Sequence, residues 1–300
     1  MSREEHEMEK TKKNTDNRFG RWLQKCKKHP FSGLVEALVW LSGIMTMAIM
    51  IYLVTFIVIR GVPHLKPSLF SLTYNSDNVS LMPALVNTLI ITALSLVIAI
   101  PFGVFAAIYL VEYAKKGSRL VHLIRITAET LSGIPSIIYG LFGLLFFSTA
   151  LHWGLSLLSG CMTLVIMILP LIIRTSEEAL LSVPDSYREA SFGLGAGKLR
   201  TIFKIVLPSA VPGILSGVVL ATGRIVGETA ALLYTAGTVA KIPNLMGSGR
   251  TLAVHMYVLS SEGLHMDESY ATAVVLLVLV LVLNGLSGLL AKGLTSRGNR

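Results

Sequence analysis

Residues 186–208 read S-Y-R-E-A-S-F-G-L-G-A-G-K-L-R-T-I-F-K-I-V-L-P, a mostly polar stretch between two strongly apolar parts of the chain. Residues 186–192 predict a short helix with Asp185 as its candidate N-cap, because a carboxylate can accept a hydrogen bond from a free N–H of the first turn. Gly195 and Gly197 then allow positive φ angles. The sequence therefore predicts a short helix that ends in a glycine turn.

A second helix is predicted directly after this turn, over residues 198–206. Its apolar and basic side chains lie beside each other, as in an amphipathic helix. Pro208 is predicted to mark the boundary with the following helix. The apolar members are Leu199, Ile202 and Phe203, and the basic members are Lys198, Arg200 and Lys204. The element fits either a surface on which a separate motor protein pushes or a helix resting on lipid headgroups.

The sequence around this stretch is too apolar for a soluble protein. Hydrophobic residues make up 53% of the chain and charged residues only 14%, against about 25% charged residues in globular proteins. Six apolar runs are long enough to cross about 30 Å of hydrocarbon as helices. They are residues 33–59, 83–111, 127–151, 154–173, 209–236 and 271–291. Kinks are expected at Pro101 and Pro135. The chain is therefore predicted to be an all-α integral membrane protein with about six transmembrane helices.

Lysine and arginine counts predict the orientation of these helices. With the N-terminus inside, the cytoplasmic segments hold 20 Lys or Arg and the external segments hold four, which predicts cytoplasmic termini. The net charge of +9 is therefore interpreted as a topology signal and not as a nucleic-acid surface. The predicted organisation is a basic tail over 1–32, a first helix over 33–60, a core over 80–291 with a cytoplasmic loop at 174–208, and a tail over 292–300.

Two charges lie deep in the fifth run. Arg224 is about 22 Å from its predicted cytoplasmic end at 1.5 Å per residue, where a charge costs roughly 2.5–3.5 kcal/mol. Glu228, one helical turn further on, is predicted to pair with Arg224. Such a pair either fixes helix packing or lines an anion path. Small and charged residues share its stripe of the helix, namely Gly213, Gly217, Ala221, Arg224, Glu228, Ala231 and Thr235.

Other polar residues give weaker signals. Arg125 and Glu129, also four residues apart, lie near the beginning of the third run, and Arg174 lies at the end of the fourth. Arginines at helix ends are ordinarily boundary anchors, so a place in the anion path is their second interpretation. His152 and His255 have no ligand-like spacing and are interpreted as surface or packing residues. No spacing in the chain indicates a metal site.

The quoted stretch resembles the signature loop of ABC-importer permeases: E-A-A, three residues, Gly, nine residues, then I-x-L-P. Both spacings match, and the one departure is a serine in place of the third motif residue, alanine. The resemblance implies that the loop docks onto a separate ATPase, and it favours this interpretation over a helix on lipid. The matching residues are Glu189, Ala190, Ser191, Gly195, Ile205, Leu207 and Pro208.

Three further segments are similar to phosphate-specific, PstA-type permeases: S-G-I-P-S-I-I-Y-G-L-F-G at 132–143, L-I-I-R-T-S-E-E at 171–178 and R-I-V-G-E-T-A-A-L-L at 224–233. The likeness covers about residues 80–290. It implies the type I ABC importer transmembrane fold, a bacterial inner membrane and active import of phosphate. It also implies roles in transport for Arg174, Arg224 and Glu228.

The same resemblance implies partners: a second, PstC-type permease subunit, a dimer of PstB-type ATPase subunits, an external PstS-type binding protein and the lipid bilayer. The chain has no G-x-x-x-x-G-K-[ST] phosphate loop. ATP and Mg²⁺ are therefore expected on the ATPase, and this subunit is expected to hold no cofactor, metal or catalytic residue. Two alternatives stay open: a similar permease for another oxyanion or solute, such as sulfate or molybdate, and an ATP-independent channel or carrier.

Overall fold

The computed structural model describes residues 30–298 apart from Lys116. The predicted basic tail therefore lies almost wholly outside the described residues. The chain divides into two units, residues 1–59 and 60–300. The described residues of the first unit all lie in the apolar helix α1, which begins at Pro30 and ends at Gly61, the second residue of the other unit. Its large apolar side chains are exposed, as a helix in contact with hydrocarbon requires.

The second unit is built from helices throughout its described part. Short 3₁₀ and π turns extend several of them, at Val62–His64, Pro67–Phe70, Tyr109–Tyr113, Leu144–Ala150 and Ile202–Val206. The α-helices are α2 (Met82–Ile108), α3 (Arg119–Ser132), α4 (Ser136–Gly143), α5 (Leu157–Leu181), α6 (Asp185–Gly193), α7 (Lys198–Thr201), α8 (Leu207–Val226), α9 (Ala230–Thr235), α10 (Leu252–Glu262) and α11 (Met266–Gly298).

The predicted architecture of about six spans is confirmed. In the described residues, five helices are long and apolar enough to cross a membrane, or six with one bent pair. That pair corrects the third predicted span, which is not one helix: Arg119–Ser132 and Ser136–Ala150 meet at 101°. The bend falls at Gly133-Ile134-Pro135, where the proline lacks an N–H and restricts the residue before it. By contrast, α2 continues through Pro101.

The fourth span is longer than predicted. The apolar run ends at Ile173, yet α5 continues to Leu181. Residues 174–181 are mostly good helix formers, and Leu180 is fully buried, so packing extends the helix. Arg174 is consequently inside the helix and does not end it. The predicted cytoplasmic loop begins only after Leu181, and not at residue 174.

The fifth and last spans also differ from their predicted bounds. The helical segment Lys198–Val226 is continuous, so Pro208 does not separate two helices. It lies just after the π turn Ile202–Val206, where the regular α-helical hydrogen bonding is already interrupted. The fifth span then stops at Val226, ahead of Gly227. The last helix, α11, continues to Gly298 with no proline to interrupt it, so the predicted tail from residue 292 is helical over its described part.

Three long helices, α2, α5 and α8, pack around one apolar core. A second cluster lies where α2 and α5 end near the loop at residues 182–197, and a third lies near the beginning of α2. The largest fully buried side chains of the main core are Ile91, Leu157, Leu164, Met167, Ile168, Ile172, Ile225 and Leu232. This core fixes the helices that carry the charged residues described below.

Two long connections lie at opposite ends of α2. One is the segment at residues 182–206 between α5 and α8, called the docking loop after the role that its sequence implies, and the other is the stretch at residues 236–251 between α9 and α10. Near the beginning of α2, Asn87 donates from Nδ2 to the backbone carbonyls of Lys241 and Arg250 at 2.8 and 3.1 Å. Beyond its other end, Glu112 pairs with Arg188 of the docking loop. Residues 87 and 112 are about 37 Å apart along a helix. This distance is long enough to separate the two connections across about 30 Å of hydrocarbon.

Candidate functional site

A cleft of about 330 Å³ lies between α3, α5 and the π turn after α2. This volume is at the lower end of the range for small-molecule sites. The cleft brings together three of the residues predicted for the anion path, Arg125, Glu129 and Arg174, and adds two carboxylates. Its charged lining is Arg125, Glu129, Arg174, Glu177 and Glu178, and its apolar lining includes Leu110, Ile173 and Leu181.

Both arginines of the cleft are held by carboxylates of α5. Arg125 donates from Nε to Glu177 Oε1 at 2.7 Å, and its Nη2 contacts the same oxygen. Arg174 donates from Nε to Glu178 Oε1 at 3.0 Å. Arg125 thus pairs across helices with Glu177, and not with Glu129, which has the favourable spacing on its own helix. The bend after α3 allows this, because it sets α3 against α5.

The two pairs differ in their exposure to solvent. The Glu177 side chain is only 11% exposed, whereas that of Glu178 is 64% exposed. Each carboxylate contacts only part of its arginine's five N–H donors, so an oxyanion that binds at the remaining donors does so against the negative charge of Glu177 and Glu178. Arginine binds oxyanions through two parallel N–H donors. The cleft can therefore hold an anion reversibly, with Glu177 and Glu178 as competitors.

Arg224 and Glu228 do not form the predicted ion pair. They lie on either side of a helix break, since α8 ends at Val226 and α9 begins at Ala230. Glu228 is buried and its Oε1 accepts a hydrogen bond from the Ala231 N–H at 3.0 Å. The break follows from Gly227, which has no Cβ and weakens the helix, and from this side-chain bond, which starts a new one. Glu228 is therefore a cap of α9.

The small-residue stripe of the fifth run packs against α5. A Cβ at Gly213 would lie 2.6 Å from the Cβ of Ala179, and one at Gly217 would overlap the side chain of Thr175. Small residues let two membrane helices approach closely. The part of the stripe at Gly213 and Gly217 is therefore a contact between helices. The predicted single stripe from Gly213 to Thr235 does not exist, because the helix is broken after Val226. Arg224 lies above that contact and is half-buried.

The docking loop has the predicted outline, with corrections at two positions. Gly195 has a φ of +80°, which confirms the glycine turn, whereas Gly197 has a φ of −73° and needs no glycine. Asp185 is the first residue of α6 and not its N-cap, which is Pro184. Asp185 instead accepts a hydrogen bond from Arg188. Pro184 has the extended backbone of an N-cap residue, so Asp185 falls one position inside the helix.

Two features of the loop favour a rigid element with a free apolar surface. Ser191, which replaces the usual alanine, shares a buried hydrogen bond of 2.8 Å with the Thr201 hydroxyl. This bond joins α6 to α7. The predicted apolar face of the second helix is divided, because Ile202 is buried while Leu199 and Phe203 are exposed. The exposed apolar side chains of the loop are Tyr187, Phe192, Leu194, Leu199 and Phe203, and Leu194 is 90% exposed.

A buried polar cluster lies at the opposite end of α2. His255 is fully buried, as its interpretation as a packing residue requires, and its ring meets Tyr74 edge to face. The Arg250 guanidinium lies 4.7 Å from the Tyr74 ring centroid, a cation–π contact. Burial, helped by the Arg250 charge, lowers the pKa of His255 to about 3. His255 is therefore neutral at physiological pH.

Sequence reasoning missed four charged residues that the structure brings into contact with others. Glu177 and Glu178 stand in the quoted L-I-I-R-T-S-E-E segment, and the spacing of Arg174 and Glu178 was a usable signal. Arg188 and Glu112 form an ion pair of 2.9 Å between residues 76 positions apart, for which a single sequence offers no signal. Within the described residues, no cluster of His, Cys, Asp or Glu could hold a metal ion.

The chain matches a protein-family model over residues 99–297, that of the binding-protein-dependent transport system inner membrane component. It is 35% identical to the probable ABC transporter permease protein YqgI of Bacillus subtilis over 79% of this chain and 87% of that protein. It is 41% identical to the phosphate transport system permease protein PstA 1 of Mycobacterium tuberculosis over 51% of this chain. That alignment spans only half the length of PstA 1.

Solved structures show the same fold at low sequence identity. A chain of the inward-facing MetNI methionine ABC transporter matches 81% of this chain with a TM-score of 0.56 and 20% identity, over 98% of its own length. A chain of a bacterial alginate ABC transporter, in complex with its periplasmic protein, matches 85% with a TM-score of 0.61 and 18% identity, over 95% of its length. The fold is therefore that of type I ABC importer transmembrane domains.

Proposed function

This chain belongs to the family of binding-protein-dependent transport system inner membrane components, and from this premise we propose that it is a membrane-spanning permease subunit of an ATP-driven importer of inorganic phosphate. The observation that carries the substrate is the similarity to proteins named PstA, at 41% identity over 154 residues and 36% over 208 residues in two mycobacteria. The intramembrane and cleft arginines are the residue type that phosphate recognition needs.

Active transport fits this substrate on energetic grounds. Moving a phosphate dianion into a negative interior costs about 4.6 kcal/mol per 100 mV, twice the value for one charge. A passive channel would therefore drain phosphate outward. Since the sequence contains no phosphate loop for ATP, the energy is supplied by a partner ATPase, and the permease itself is not an enzyme.

The anion path includes Arg224 in the membrane and Arg125 and Arg174 in the cleft. Arg224 is free of the carboxylate predicted for it, so it can offer its donors to an anion passing between the two permease subunits. Glu228 acts indirectly, by fixing the beginning of α9 beside that arginine. In the cleft, Glu129 adds a third carboxylate whose charge attracts Arg174. The cleft is the last binding site before the cytoplasm, where the carboxylates compete with phosphate for the two arginines and so permit its release.

The docking loop couples this path to the ATPase. This loop is rigid because of its glycine turn and its buried hydrogen bond between Ser191 and Thr201. Its exposed apolar side chains lie on the predicted cytoplasmic side, and a patch of exposed apolar side chains indicates a protein-binding surface. The coupling residues are Glu189, Ala190, Ser191, Gly195, Ile205, Leu207 and Pro208.

The complete importer contains a PstC-type second permease subunit, a dimer of PstB-type ATPase subunits and a PstS-type phosphate-binding protein. The helices cross the inner membrane of a bacterium, and both termini of the chain lie in the cytoplasm. The alternatives are a permease for sulfate, molybdate or another solute, and an ATP-independent carrier.

Stimulation of ATP hydrolysis tests this function. The complex is purified with its ATPase in nanodiscs, and the hydrolysis rate is measured with the binding protein loaded with phosphate, loaded with sulfate or left empty. Phosphate-loaded binding protein should stimulate hydrolysis most. Equal rates in all three conditions, or an ATPase that does not co-purify with the permease, would refute the proposal.

A further inference from the structure

Arg188 of the docking helix α6 is held by several acceptors at once. A guanidinium has five N–H donors, and here it forms four hydrogen bonds and one further ion-pair contact. Nε donates to Glu112 Oε1 at 3.0 Å, and Nη2 contacts the same oxygen at 2.9 Å and the Leu180 carbonyl at 3.0 Å. Nη1 donates to the Val183 carbonyl at 2.8 Å and to Asp185 at 3.1 Å.

Two of these acceptors, Leu180 and Glu112, belong to the ends of two spanning helices. Leu180 lies in the last turn of α5, where carbonyls have no partner in the helix and attract a positive charge. Glu112 lies in the π turn that ends the α2 segment. The side chains of Arg188 and Glu112 are only 14% and 10% exposed, so the pair is screened little by water. Arg188 therefore ties the docking helix to the predicted cytoplasmic ends of both α2 and α5.

The same two helix ends form walls of the charged cleft. Leu110 lines the cleft from the π turn, two residues before Glu112, and Leu181 lines it from α5, next to Leu180. A displacement of α6 that pulls on Arg188 therefore acts on both of these walls. A contact network of this kind can transmit a change when its members move as rigid elements.

We propose that Arg188, with Glu112 as its counter-charge, is the positioning residue that transmits the movement of the docking helix to the anion cleft between α3 and α5. This inference rests on the proposed function, in which an ATPase moves that helix. Without the link, ATP hydrolysis would continue while the cleft no longer followed it. Arg188 touches neither phosphate nor ATP in this account.

A purely structural role would give a different result, because other contacts already hold these elements together. An apolar cluster joins the ends of α2 and α5 to the docking loop and the beginning of α8. Its buried members are Ala107, Ile108, Ala179, Leu180, Val183, Ile202, Val206, Ala210 and Ile214. Loss of the Arg188 charge therefore leaves the packing in place, and transmission can be tested in an assembled complex.

The test compares wild type with Arg188→Gln, Glu112→Gln, the exchanged pair Arg188→Glu with Glu112→Arg, and the control Arg119→Gln, which removes an exposed charge at the beginning of α3. Phosphate uptake and ATP hydrolysis are measured in parallel in vesicles that contain the complete complex. Arg188→Gln and Glu112→Gln should lower uptake per ATP hydrolysed roughly five- to tenfold, the size of an ordinary coupling between sites. The exchanged pair should recover part of this loss, and the control should match wild type.

A second measurement follows the cleft itself. Ile173 lines the cleft, so Ile173→Cys, in a chain with Cys26→Ser and with the buried Cys161 retained, reports its accessibility to a thiol reagent. The labelling rate should change when ATP is added to wild type and should not change in Arg188→Gln. Wild-type uptake per ATP and an unaltered labelling response in Arg188→Gln would overturn the inference.

Failed assembly has an equally definite meaning. If every variant at Arg188 and Glu112, including the exchanged pair, fails to assemble with the ATPase, the ion pair is a structural contact and the inference is wrong. The ATP-dependent labelling of Ile173→Cys does not depend on the identity of the transported solute. A wild-type complex that responds to ATP but imports no phosphate would therefore refute the proposed substrate and leave the role of Arg188 standing.

Discussion

Replacing Glu177 by glutamine should make the cleft hold phosphate too tightly. Glu177 is nearly buried and competes with phosphate for Arg125, whose guanidinium contacts the same Glu177 oxygen through two nitrogens. Hydrogen bonds to charged groups contribute about 1.5–3 kcal/mol. Because Arg125 is half exposed, we take the lower value, and about 1.4 kcal/mol corresponds to a tenfold change in an equilibrium constant. Glu177→Gln should therefore strengthen phosphate binding at the cleft roughly tenfold.

The matched control is Glu178→Gln, which removes the same charge from the pair with Arg174. That pair is exposed on one face of α5, and exposed pairs separated by four residues contribute little. Its effect on phosphate affinity should stay below about twofold. Comparison of the two variants separates loss of a buried competitor from a general loss of negative charge near the cleft.

The assay is phosphate retention by assembled complexes in nanodiscs, followed by uptake in vesicles. Radiolabelled phosphate should dissociate more slowly from Glu177→Gln than from wild type, and its uptake per complex should fall by a similar factor. Equal retention in Glu177→Gln, Glu178→Gln and wild type would refute the role of Glu177 as a competitor. A fall in uptake without slower dissociation would also refute it.

Three further predictions follow from the backbone and the buried groups. Gly217→Val should destabilise the subunit by about 1–3 kcal/mol through overlap with Thr175, measured as a lower midpoint of thermal unfolding; an unchanged midpoint would contradict the close contact. Gly195→Val should weaken association with the ATPase, because a β-branched residue at positive φ costs about 1–3 kcal/mol. The control Gly197→Ala should be tolerated, because φ is negative there. Equal co-purification of the ATPase with both variants would show that the glycine turn is not needed. Burial and the Arg250 guanidinium lower the pKa of His255 to about 3, so the unfolded chain binds a proton on this ring more readily than the folded chain does. The free energy of unfolding should therefore fall as pH falls from 6.5 towards 3, by at most roughly 5 kcal/mol. His255→Phe should flatten the pH profile of the unfolding midpoint, and a profile identical to that of wild type would contradict this prediction.

The sequence predicted those features that depend on neighbouring residues. Apolar runs located both ends of the first two spans to within about three residues, whereas the other spans differ by more at one or both ends. The positive φ of Gly195 followed from its place in a glycine-rich turn. The predicted bend at Pro135 is present because proline acts on its own backbone and on the residue before it.

Long-range packing decided what the sequence could not predict. Arg125 finds Glu177, 52 residues away, only because the bend after α3 sets that helix against α5. The predicted pairing of Arg224 with Glu228 assumed an unbroken helix, and the break at Gly227 separates them. Likewise, the small residues of α8 were recognised as a stripe, but only the position of Thr175 and Ala179 on the facing helix shows that they form a packing contact.

The central claim, ATP-driven phosphate import through this permease, is tested most directly by transport itself. Vesicles containing the complete complex, with ATP inside and loaded binding protein outside, are assayed for uptake of radiolabelled phosphate and radiolabelled sulfate. Arg224→Gln provides a path variant that should still assemble. Uptake of phosphate that requires hydrolysable ATP, exceeds that of sulfate and falls sharply in Arg224→Gln is the predicted result. Uptake that prefers sulfate, or that continues unchanged without ATP, would contradict the account.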